Sequence, residues 1–217
     1  MLGNSTITRG WDKAYLENDN AHLWNEKPMP IVEDIFVRGH GCCLDIGCGD
    51  GRHLLALQRG GLNVVGLDIS PTALRRADRM MRDQGRAVPL VLGDMLALPF
   101  ADATLDVVSA LDVLGQVADP GPAISEARRV LRPGGLLVVN LFDTSDGTFG
   151  EGAQIAPSVF LYKETLFRYF SRSEAEGLFA IGWKVDIKQA TWIDPPHGNF
   201  RPMAHTHVNH VVFARVS

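Results

Sequence analysis

A glycine-rich segment directly after an apolar run is the feature that most constrains the fold of this chain. Residues 44–52 read LDIGCGDGR, with glycine at Gly47, Gly49 and Gly51. Alternating glycines let the backbone turn sharply and approach a ligand closely, because no side chain stands in the way. The free N–H groups of a helix that starts there point at the same ligand. The segment therefore predicts a strand, a tight turn and a helix.

Short apolar runs alternate with helical patterns from about residue 40 onward. Five runs are nearly continuous in Leu, Val and Ile, as expected of strands buried on both faces of a parallel sheet. They are residues 42–46, 63–67, 89–92, 105–110 and 136–141. The helical patterns cover residues 30–37, 51–59, 72–84 and 122–131. This alternation predicts a doubly wound, Rossmann-like α/β fold with seven mostly parallel strands.

The C-terminal part of the chain departs from the alternation. Residues 172–181 have a helical pattern, and two strand-like runs follow at 183–191 and 208–216 with no helix between them. Two such strands pair as a hairpin, which predicts an antiparallel edge strand on the sheet. Residues 143–162 are rich in Gly, Ser and Thr and predict a long loop over the active face.

One domain is expected to span residues 1–217, because a chain of 217 residues suits a single core. It would comprise an N-terminal lid with helices (1–40), a ligand-binding core (41–142) and a substrate-side part with the loop, helix and hairpin (143–217). Hydrophobic residues make up 46% of the chain, which is typical of a globular protein rather than a disordered one.

Charge and cysteine content exclude several classes of partner. The formal net charge of −4 gives no broad basic surface, which argues against a nucleic-acid partner. No apolar run is long enough to suggest a membrane span or a signal peptide. The close spacing of Cys42, Cys43 and Cys48 fits neither a disulfide framework nor a zinc site. We expect a cytoplasmic monomer or homodimer with no nucleic-acid and no membrane partner.

The acidic residue before the glycine turn narrows the class of ligand. A dinucleotide fingerprint needs its third glycine at position 52, where Arg52 stands, and the Gly-Lys-Ser/Thr of a phosphate-binding loop is absent from the sequence. Asp45 argues against a phosphate and for a cationic ligand. S-adenosylmethionine (SAM) carries an ammonium, a sulfonium and a carboxylate suited to backbone donors. The chemistry of SAM, which becomes S-adenosylhomocysteine when it gives up its methyl group, fits such a site.

The same segment resembles the first motif of the class I SAM-dependent methyltransferases, an acidic residue followed by Gly-x-Gly-x-Gly. Four later segments match further motifs of the family in order: VVGLDIS at 64–70, LGDM at 92–95, LDVVSA at 105–110 and RVLRPGGL at 129–136. The resemblance implies that Asp68 binds both ribose hydroxyls, since a carboxylate can accept two hydrogen bonds from a diol. It also implies that Asp94 and the backbone of Met95 bind adenine.

The resemblance implies a complete cofactor site at the ends of four strands. Leu111 and Asp112, just beyond the fourth strand, would lie beside the sulfonium. The implied cofactor-binding residues are Asp45, Gly47, Cys48, Gly49, Gly51, Asp68, Ile69, Asp94, Met95, Leu111 and Asp112. The implied reaction is an SN2 methyl transfer to an oxygen, nitrogen or sulfur atom of a small molecule.

The N-terminal run WDKAY at 11–15 and the later Trp24 are similar to the lid of thiopurine and tellurite-resistance methyltransferases. In that family such a segment helps to close over SAM and substrate. Aromatic groups there would exclude water from the sulfonium and offer cation–π contact. We expect Trp11 and Trp24 to bind substrate and Tyr15 to act in catalysis; packing of an N-terminal helix is the alternative for both tryptophans.

Residues 194–210 are unusually rich in histidine, which leaves three interpretations open. His205 and His207 would share a face of a strand, and His197 could join them around a metal ion. Alternatively, one of these histidines is a general base that deprotonates the acceptor. The third interpretation is a connection whose histidines bond to backbone or water. We take His197, His205 and His207 as catalytic candidates and Arg201 as a substrate-binding candidate, and assign no metal.

Other functions fit parts of the same pattern. They are a methyltransferase acting on protein or nucleic acid, a non-catalytic SAM-binding module, and a metal-dependent hydroxyl methyltransferase that uses the tail histidines. The acidic net charge speaks against nucleic acid, as does ALDV at residues 110–113 in place of an Asn-Pro-Pro-Tyr motif. The intact carboxylates Asp45, Asp68 and Asp94 disfavour a degenerate module. A small-molecule methyl acceptor is the expected partner.

Overall fold

A computed structural model describes residues 4–18, 23, 27–196 and 200–217 of the chain. The strands within these residues are β1 (Cys42–Ile46), β2 (Asn63–Asp68), β3 (Leu90–Leu92), β4 (Leu105–Ala110), β5 (Leu131–Phe142), β6 (Ala153–Ala156), β7 (Val159–Tyr162), β8 (Thr165–Arg168), β9 (Trp183–Asp194) and β10 (His205–Val216). The helices are α1 (Asn4–Glu17), α2 (Ile31–Arg38), α3 (Leu54–Arg59), α4 (Pro71–Asp83), α5 (Gly121–Val130) and α6 (Arg172–Gly177). A short 3-10 helix covers Leu114–Gln116.

Seven strands form one mixed sheet in the order β3-β2-β1-β4-β5-β10-β9. Strands β1 to β5 pair in parallel, and β10 is antiparallel to both of its neighbours, β5 and β9. This confirms the predicted α/β fold with seven mostly parallel strands and an antiparallel member. The antiparallel strand lies one place in from the edge, because the last strand of the chain inserts between β5 and β9.

The direction of β10 decides which residues reach the functional side of the sheet. Strands β1 to β5 all end at one edge, which we call the carboxyl edge, and ligands of open α/β sheets bind just outside it. Because β10 is antiparallel to β5 and β9 is antiparallel to β10, β10 starts at the carboxyl edge and β9 ends there. The segment that joins them lies on the same side as the glycine-rich turn.

The core lies on both faces of the sheet, as the apolar strands predict. Neighbouring residues of β4 illustrate this, since Val108 packs in a cluster that includes Ile124 and Val130 of α5. Val107 belongs to a cluster on the other face, together with residues of α2, α3 and α4. Among the described residues, none of the helices combines the length and apolar character that crossing a bilayer demands.

The predicted loop at 143–162 is wrong over its second half. Strands β6, β7 and β8 form a separate antiparallel sheet of three strands. The turn between β7 and β8 consists of Lys163 and Glu164, whose φ angles of 47° and 65° are those of a tight hairpin turn. Such a turn usually contains Gly or Asn, so this sequence carries no ordinary hairpin signal. The helix predicted at 172–181 also ends earlier, at Gly177.

Candidate functional site

A cavity opens at the carboxyl edge, between the ends of β1, β2, β3 and β4 and the helix α1. It encloses about 890 Å³, including its open mouth. Its wall contains most of the predicted cofactor residues: Gly47, Cys48, Gly49, Asp68, Ile69, Asp94, Met95, Leu111 and Asp112. Trp11 and Tyr15 of α1 also line it. Asp45 and Gly51 lie behind this wall.

Each glycine of the turn has a positive φ, and each meets a different neighbour. A Cβ atom on Gly49 would stand 2.5 Å from the hydroxyl oxygen of Tyr15, inside the cavity. On Gly51 it would meet the Cε atom of Met80 at 2.6 Å, so this glycine permits close packing of the turn against α4. The lack of a side chain at Gly49 therefore keeps space free in the cavity, and at Gly51 it allows the turn to pack against α4.

Asp68 holds the tip of β2 against the glycine turn. Its carboxylate accepts hydrogen bonds from the backbone N–H groups of Gly49, at 2.9 Å, and Ser70, at 2.8 Å. Only 8% of the residue is exposed, and burial raises the pKa of Asp68 despite these two bonds. The strand tip thus presents a buried, oriented carboxylate in the wall of the cavity.

Asp45 lies one layer below the turn and is 1% exposed. Its Oδ1 accepts a hydrogen bond of 2.6 Å from the Ser109 hydroxyl, whereas its Oδ2 has no hydrogen-bond partner among the described residues. Burial raises the pKa of Asp45 to about 7, although Ser109 and Arg52 favour the charged form. The carboxylate is therefore a buried group whose charge is only partly compensated by the protein.

Asp112 has a backbone conformation that is unusual for a residue other than glycine, with φ of 55°. Its carboxylate accepts bonds from Arg52, at 2.8 Å, and from the Nδ2 of Asn140, at 2.6 Å. The backbone N–H of Asp112 donates to the Oδ1 of Asn140 at 2.7 Å, and Asn140 donates on to Asn209 at 2.9 Å. These hydrogen bonds hold Asp112 in its strained backbone conformation in the cavity wall.

The charge of Asp112 is stabilised by the same network. Burial alone favours the neutral acid, but Arg52, His207 and Asn140 together lower the pKa of Asp112. Asn140 and Asn209 were not predicted as site residues. The sequence does contain a signal that could have identified them. Each of the strands β5 and β10 has one amide side chain among apolar residues, and a buried amide needs a hydrogen-bond partner.

A histidine missing from the predicted site also lines the cavity. His53 directly precedes α3 and is buried, and burial lowers the pKa of His53 well below its usual value. Its Nε2 has no hydrogen-bond partner among the described residues. The cavity wall thus contains a neutral imidazole behind the glycine turn.

Helix α1 covers the cavity and belongs to a buried aromatic cluster, which we call the aromatic roof. The roof consists of Trp11, Tyr15, Phe142, Phe160, Phe167, Tyr169 and Phe200. Ring centroids of Trp11 lie 5.9 Å from Phe200 and 6.4 Å from Phe167. Trp11 therefore packs α1 into the roof and also lines the cavity, while its binding of substrate stays a prediction. Trp24 lies outside the described residues.

Polar contacts fix α1 to the start of α4 and to the β7–β8 hairpin. The carboxylate of Asp12 accepts bonds from the Ser70 hydroxyl, at 2.7 Å, and from the backbone N–H of Thr72, at 3.0 Å. Lys13 pairs with Glu164 at the tip of the hairpin. These contacts hold the helix over the residues that follow Asp68.

The tail histidines differ in their surroundings. His207 is buried, its Nδ1 lies 3.0 Å from Oδ2 of Asp146, and its ring lies 5.0 Å from that of Phe142. His205 is half-buried, with Nδ1 3.0 Å from the carbonyl oxygen of Met203. His197 lies outside the described residues. The structure therefore brings two of the three histidines together near the carboxyl edge.

Arg201 packs within the aromatic roof rather than in the cavity wall. Its guanidinium carbon lies 4.6 Å from the ring centroid of Tyr162 and 5.2 Å from that of Phe167. Burial lowers the pKa of Arg201 to about 10, and its charge is paired with Glu151. These contacts stabilise the roof, and binding of substrate by Arg201 stays a prediction.

Comparisons with known proteins match the central part of the chain. Residues 44–139 match the family model described as Methyltransferase domain, Methyltransf_11. Over 89% of its length the chain is 26% identical to ubiquinone biosynthesis O-methyltransferase of Azorhizobium caulinodans, 83% of which is covered. It is 39% identical to 27-O-demethylrifamycin SV methyltransferase of Amycolatopsis mediterranei, over 60% of this chain and 53% of that protein. The chain spans about half the length of most curated relatives that it matches.

A solved structure with the same fold covers nearly the whole chain. It comes from work on the conversion of a disulfide bond into a thioacetal group during echinomycin biosynthesis. The TM-score is 0.76 at 21% identity, with 97% of this chain and 93% of that chain covered. This likeness extends the shared fold to the β9–β10 hairpin and the β6–β8 sheet, beyond the segment that the family model matches.

Proposed function

We propose that the protein is a SAM-dependent methyltransferase that transfers the methyl group of SAM to an oxygen, nitrogen or sulfur atom of a small molecule. The match of residues 44–139 to a methyltransferase domain model supports this proposal. One observation carries the proposal. A cavity at the carboxyl edge joins the bare backbone of Gly47 and Gly49 to the oriented carboxylate of Asp68. The names of its relatives, in ubiquinone biosynthesis and in rifamycin methylation, support a small acceptor.

We assign the nucleoside part of SAM to the ends of β2 and β3. Asp68 would accept both ribose hydroxyls, because two backbone N–H groups already fix its orientation and leave further lone pairs for a diol. Asp94 and the backbone of Met95, which lie in the same wall, would hold the adenine. The amino-acid end of SAM would lie against Gly47 and Gly49, where backbone donors suit its carboxylate.

The methyl group would lie between Asp112 and helix α1. Leu111 is an apolar neighbour there, and the Asp112 carboxylate, held ionised by Arg52, would attract a cationic sulfonium. Trp11 and Tyr15 would exclude water from the sulfonium and face its charge with their rings. In this proposal α1 acts as a lid of the kind found in thiopurine and tellurite-resistance methyltransferases.

The reaction forms a bond between the acceptor atom and the methyl carbon and breaks the bond between that carbon and sulfur. The electron pair of the broken bond stays on sulfur, which gives neutral S-adenosylhomocysteine. An acceptor hydroxyl, amine or thiol also loses its proton. SAM is already an activated donor, so alignment and exclusion of water would supply much of the rate enhancement.

We assign the acceptor to the side of the cavity near His205 and His207. Strand β10 starts at the carboxyl edge with these residues, and the hydrogen-bonded chain from Asp112 through Asn140 reaches Asn209 on the same strand. His207 and Asn209 are two residues apart and therefore point to one face. This arrangement supports an acceptor site between the start of β10 and the proposed methyl position.

An assay of S-adenosylhomocysteine formation separates this proposal from its alternatives. Purified protein is given SAM with a panel of phenols, hydroxyquinones, heterocyclic amines and thiols, and in parallel with a peptide library. Product formation with a small acceptor, above the rate without acceptor, supports the proposal. Turnover on peptides alone would mean a protein substrate. Tight SAM binding without turnover on either panel would mean a binding module.

A further inference from the structure

The end of β9 and the start of β10 bring three metal-binding side chains together at the carboxyl edge. Asp194 is the direct cross-strand partner of His205, and His207 lies opposite Trp192. His205 and His207 are two residues apart on one strand, so their side chains point to the same face. The pairing of β9 with β10 thus brings two imidazoles and one carboxylate together.

The separations within this group suit the ligands of one ion. One ligand atom from each of Asp194, His205 and His207 lies within 4.8 Å of the other two. The Nε2 of His207 is 3.9 Å from Oδ2 of Asp194, which is too long for a hydrogen bond. Two ligands of a tetrahedral zinc ion stand about 3.4 Å apart when each bond is about 2.1 Å long. A small closure of the hairpin would meet that geometry.

The other nitrogen of each imidazole is already held by the protein. Nδ1 of His207 lies 3.0 Å from the carboxylate of Asp146, and that carboxylate also accepts bonds from the backbone and hydroxyl of Thr148. Nδ1 of His205 lies 3.0 Å from the carbonyl oxygen of Met203. Bonds of this kind fix the tautomer in which Nδ1 carries the proton and Nε2 faces a metal, and they accompany most metal-binding histidines.

We propose that Asp194, His205 and His207 bind a divalent transition-metal ion, of which zinc fits best. Two imidazoles and a carboxylate are an established donor set for zinc, with a further position left for an outside ligand. From the sequence alone we assigned no metal, and the third ligand considered there was His197. The structure provides Asp194 instead, on the neighbouring strand.

The site gives the ion a role in the reaction, and this part rests on the proposed function. A hydroxyl or thiol of the acceptor, bound at the open position, would lose its proton to solvent more readily because the ion stabilises the anion. The resulting oxygen or sulfur anion would attack the methyl carbon while the carbon–sulfur bond of SAM breaks. The ion is neither oxidised nor reduced in this step.

Zinc titration of the full-length protein tests the site without any acceptor. The protein is stripped with a chelator, and zinc binding is followed by competition with a chromophoric chelator. We expect one equivalent to bind, and we expect His205→Ala and Asp194→Asn each to weaken binding at least about tenfold. His40→Ala is the matched control, because His40 is exposed and precedes β1, at the opposite edge of the sheet from the end of β9 and the start of β10. It should bind zinc as the unchanged protein does.

Two further measurements distinguish loss of the metal site from loss of the fold. Circular dichroism melts show whether each variant folds, and cobalt in place of zinc should give the visible absorption of a tetrahedral site in the unchanged protein but not in His205→Ala. Substoichiometric zinc binding, or equal binding by all the proteins, would overturn the site. Binding of S-adenosylhomocysteine is measured on the same samples. A protein that binds zinc but not S-adenosylhomocysteine would contradict the proposed function and leave the metal site standing.

Discussion

The backbone N–H of Gly49 donates a hydrogen bond of 2.9 Å to Oδ2 of Asp68. Gly49 follows β1 and Asp68 is the last residue of β2, so the bond closes the gap between the two strand ends. It orients the Asp68 carboxylate and exposes the bare face of the glycine turn to the same cavity. One contact thus prepares both the anionic and the backbone part of the proposed SAM site.

Substitution of Gly49 by alanine should damage ligand binding more than it damages the fold. The new Cβ would stand 2.5 Å from the Tyr15 hydroxyl, at a position with φ of 56°. Gly85→Ala is the matched control, since Gly85 has φ of 65° and no heavy atom near its would-be Cβ. Both variants should lose roughly 1–2 kcal/mol of stability through the left-handed backbone, but only Gly49→Ala should lose affinity for S-adenosylhomocysteine. Equal affinities in calorimetry would contradict the assigned approach of ligand and turn.

Asp12→Ala should loosen helix α1 over the cavity. Asp12 joins α1 to Ser70 and Thr72 through two hydrogen bonds. Their loss should favour opening of α1 by roughly 1–3 kcal/mol, which corresponds to roughly 5- to 150-fold faster amide exchange in the helix. Glu17→Ala, at an exposed position of the same helix, should leave exchange unchanged. Hydrogen exchange read by mass spectrometry that shows α1 equally protected in both variants would refute this role of Asp12.

Stability should depend on pH through the buried Asp45. Burial raises the pKa of Asp45 to about 7 in the folded protein, from its ordinary value of 3.8. Between these values the folded chain holds a proton that the unfolded chain has released, so this group makes stability fall as pH rises toward 7. The slope is at most roughly 1.4 kcal/mol per pH unit, and above pH 7 it vanishes.

Asp45→Asn should remove that dependence while keeping an oxygen for the Ser109 hydroxyl. The comparison is the difference between the two proteins in urea unfolding at pH 5, 6, 7 and 8. His53 and the other titrating groups are common to both, so their contributions cancel in the difference. The variant should gain relative to the unchanged protein from pH 5 to 7. A difference that is constant with pH would show that Asp45 is already ionised.

Local periodicity was enough to predict the central fold. The bounds of β1 and β4 agree with the apolar runs at 42–46 and 105–110, because both faces of these strands are buried. The three-stranded sheet was missed because its β7–β8 turn uses Lys163 and Glu164 with positive φ, where the sequence offers no glycine. The position of β10 inside the sheet depends on contacts with β5, far away in the chain, and no local pattern encodes those.

The candidate site shows the same division. The residues at the ends of β1, β2 and β3 were predictable because each follows its own strand and parallel strands end together. The network from Arg52 through Asp112 to Asn140 and Asn209 was not, since each bond joins residues far apart in sequence. Asp194 and Asp146 escaped notice for the same reason, as partners of His207 that only the long hairpin and the preceding loop bring near.

Titration of S-adenosylhomocysteine into the unchanged protein, Asp68→Ala and Asp83→Ala tests the central claim most directly. Asp83 is an exposed carboxylate at the end of α4, so its loss controls for charge alone. The account predicts one site in the unchanged protein, a loss of roughly 1–3 kcal/mol in Asp68→Ala and no change in Asp83→Ala. Absence of binding to the unchanged protein, or undiminished affinity in Asp68→Ala, would contradict it.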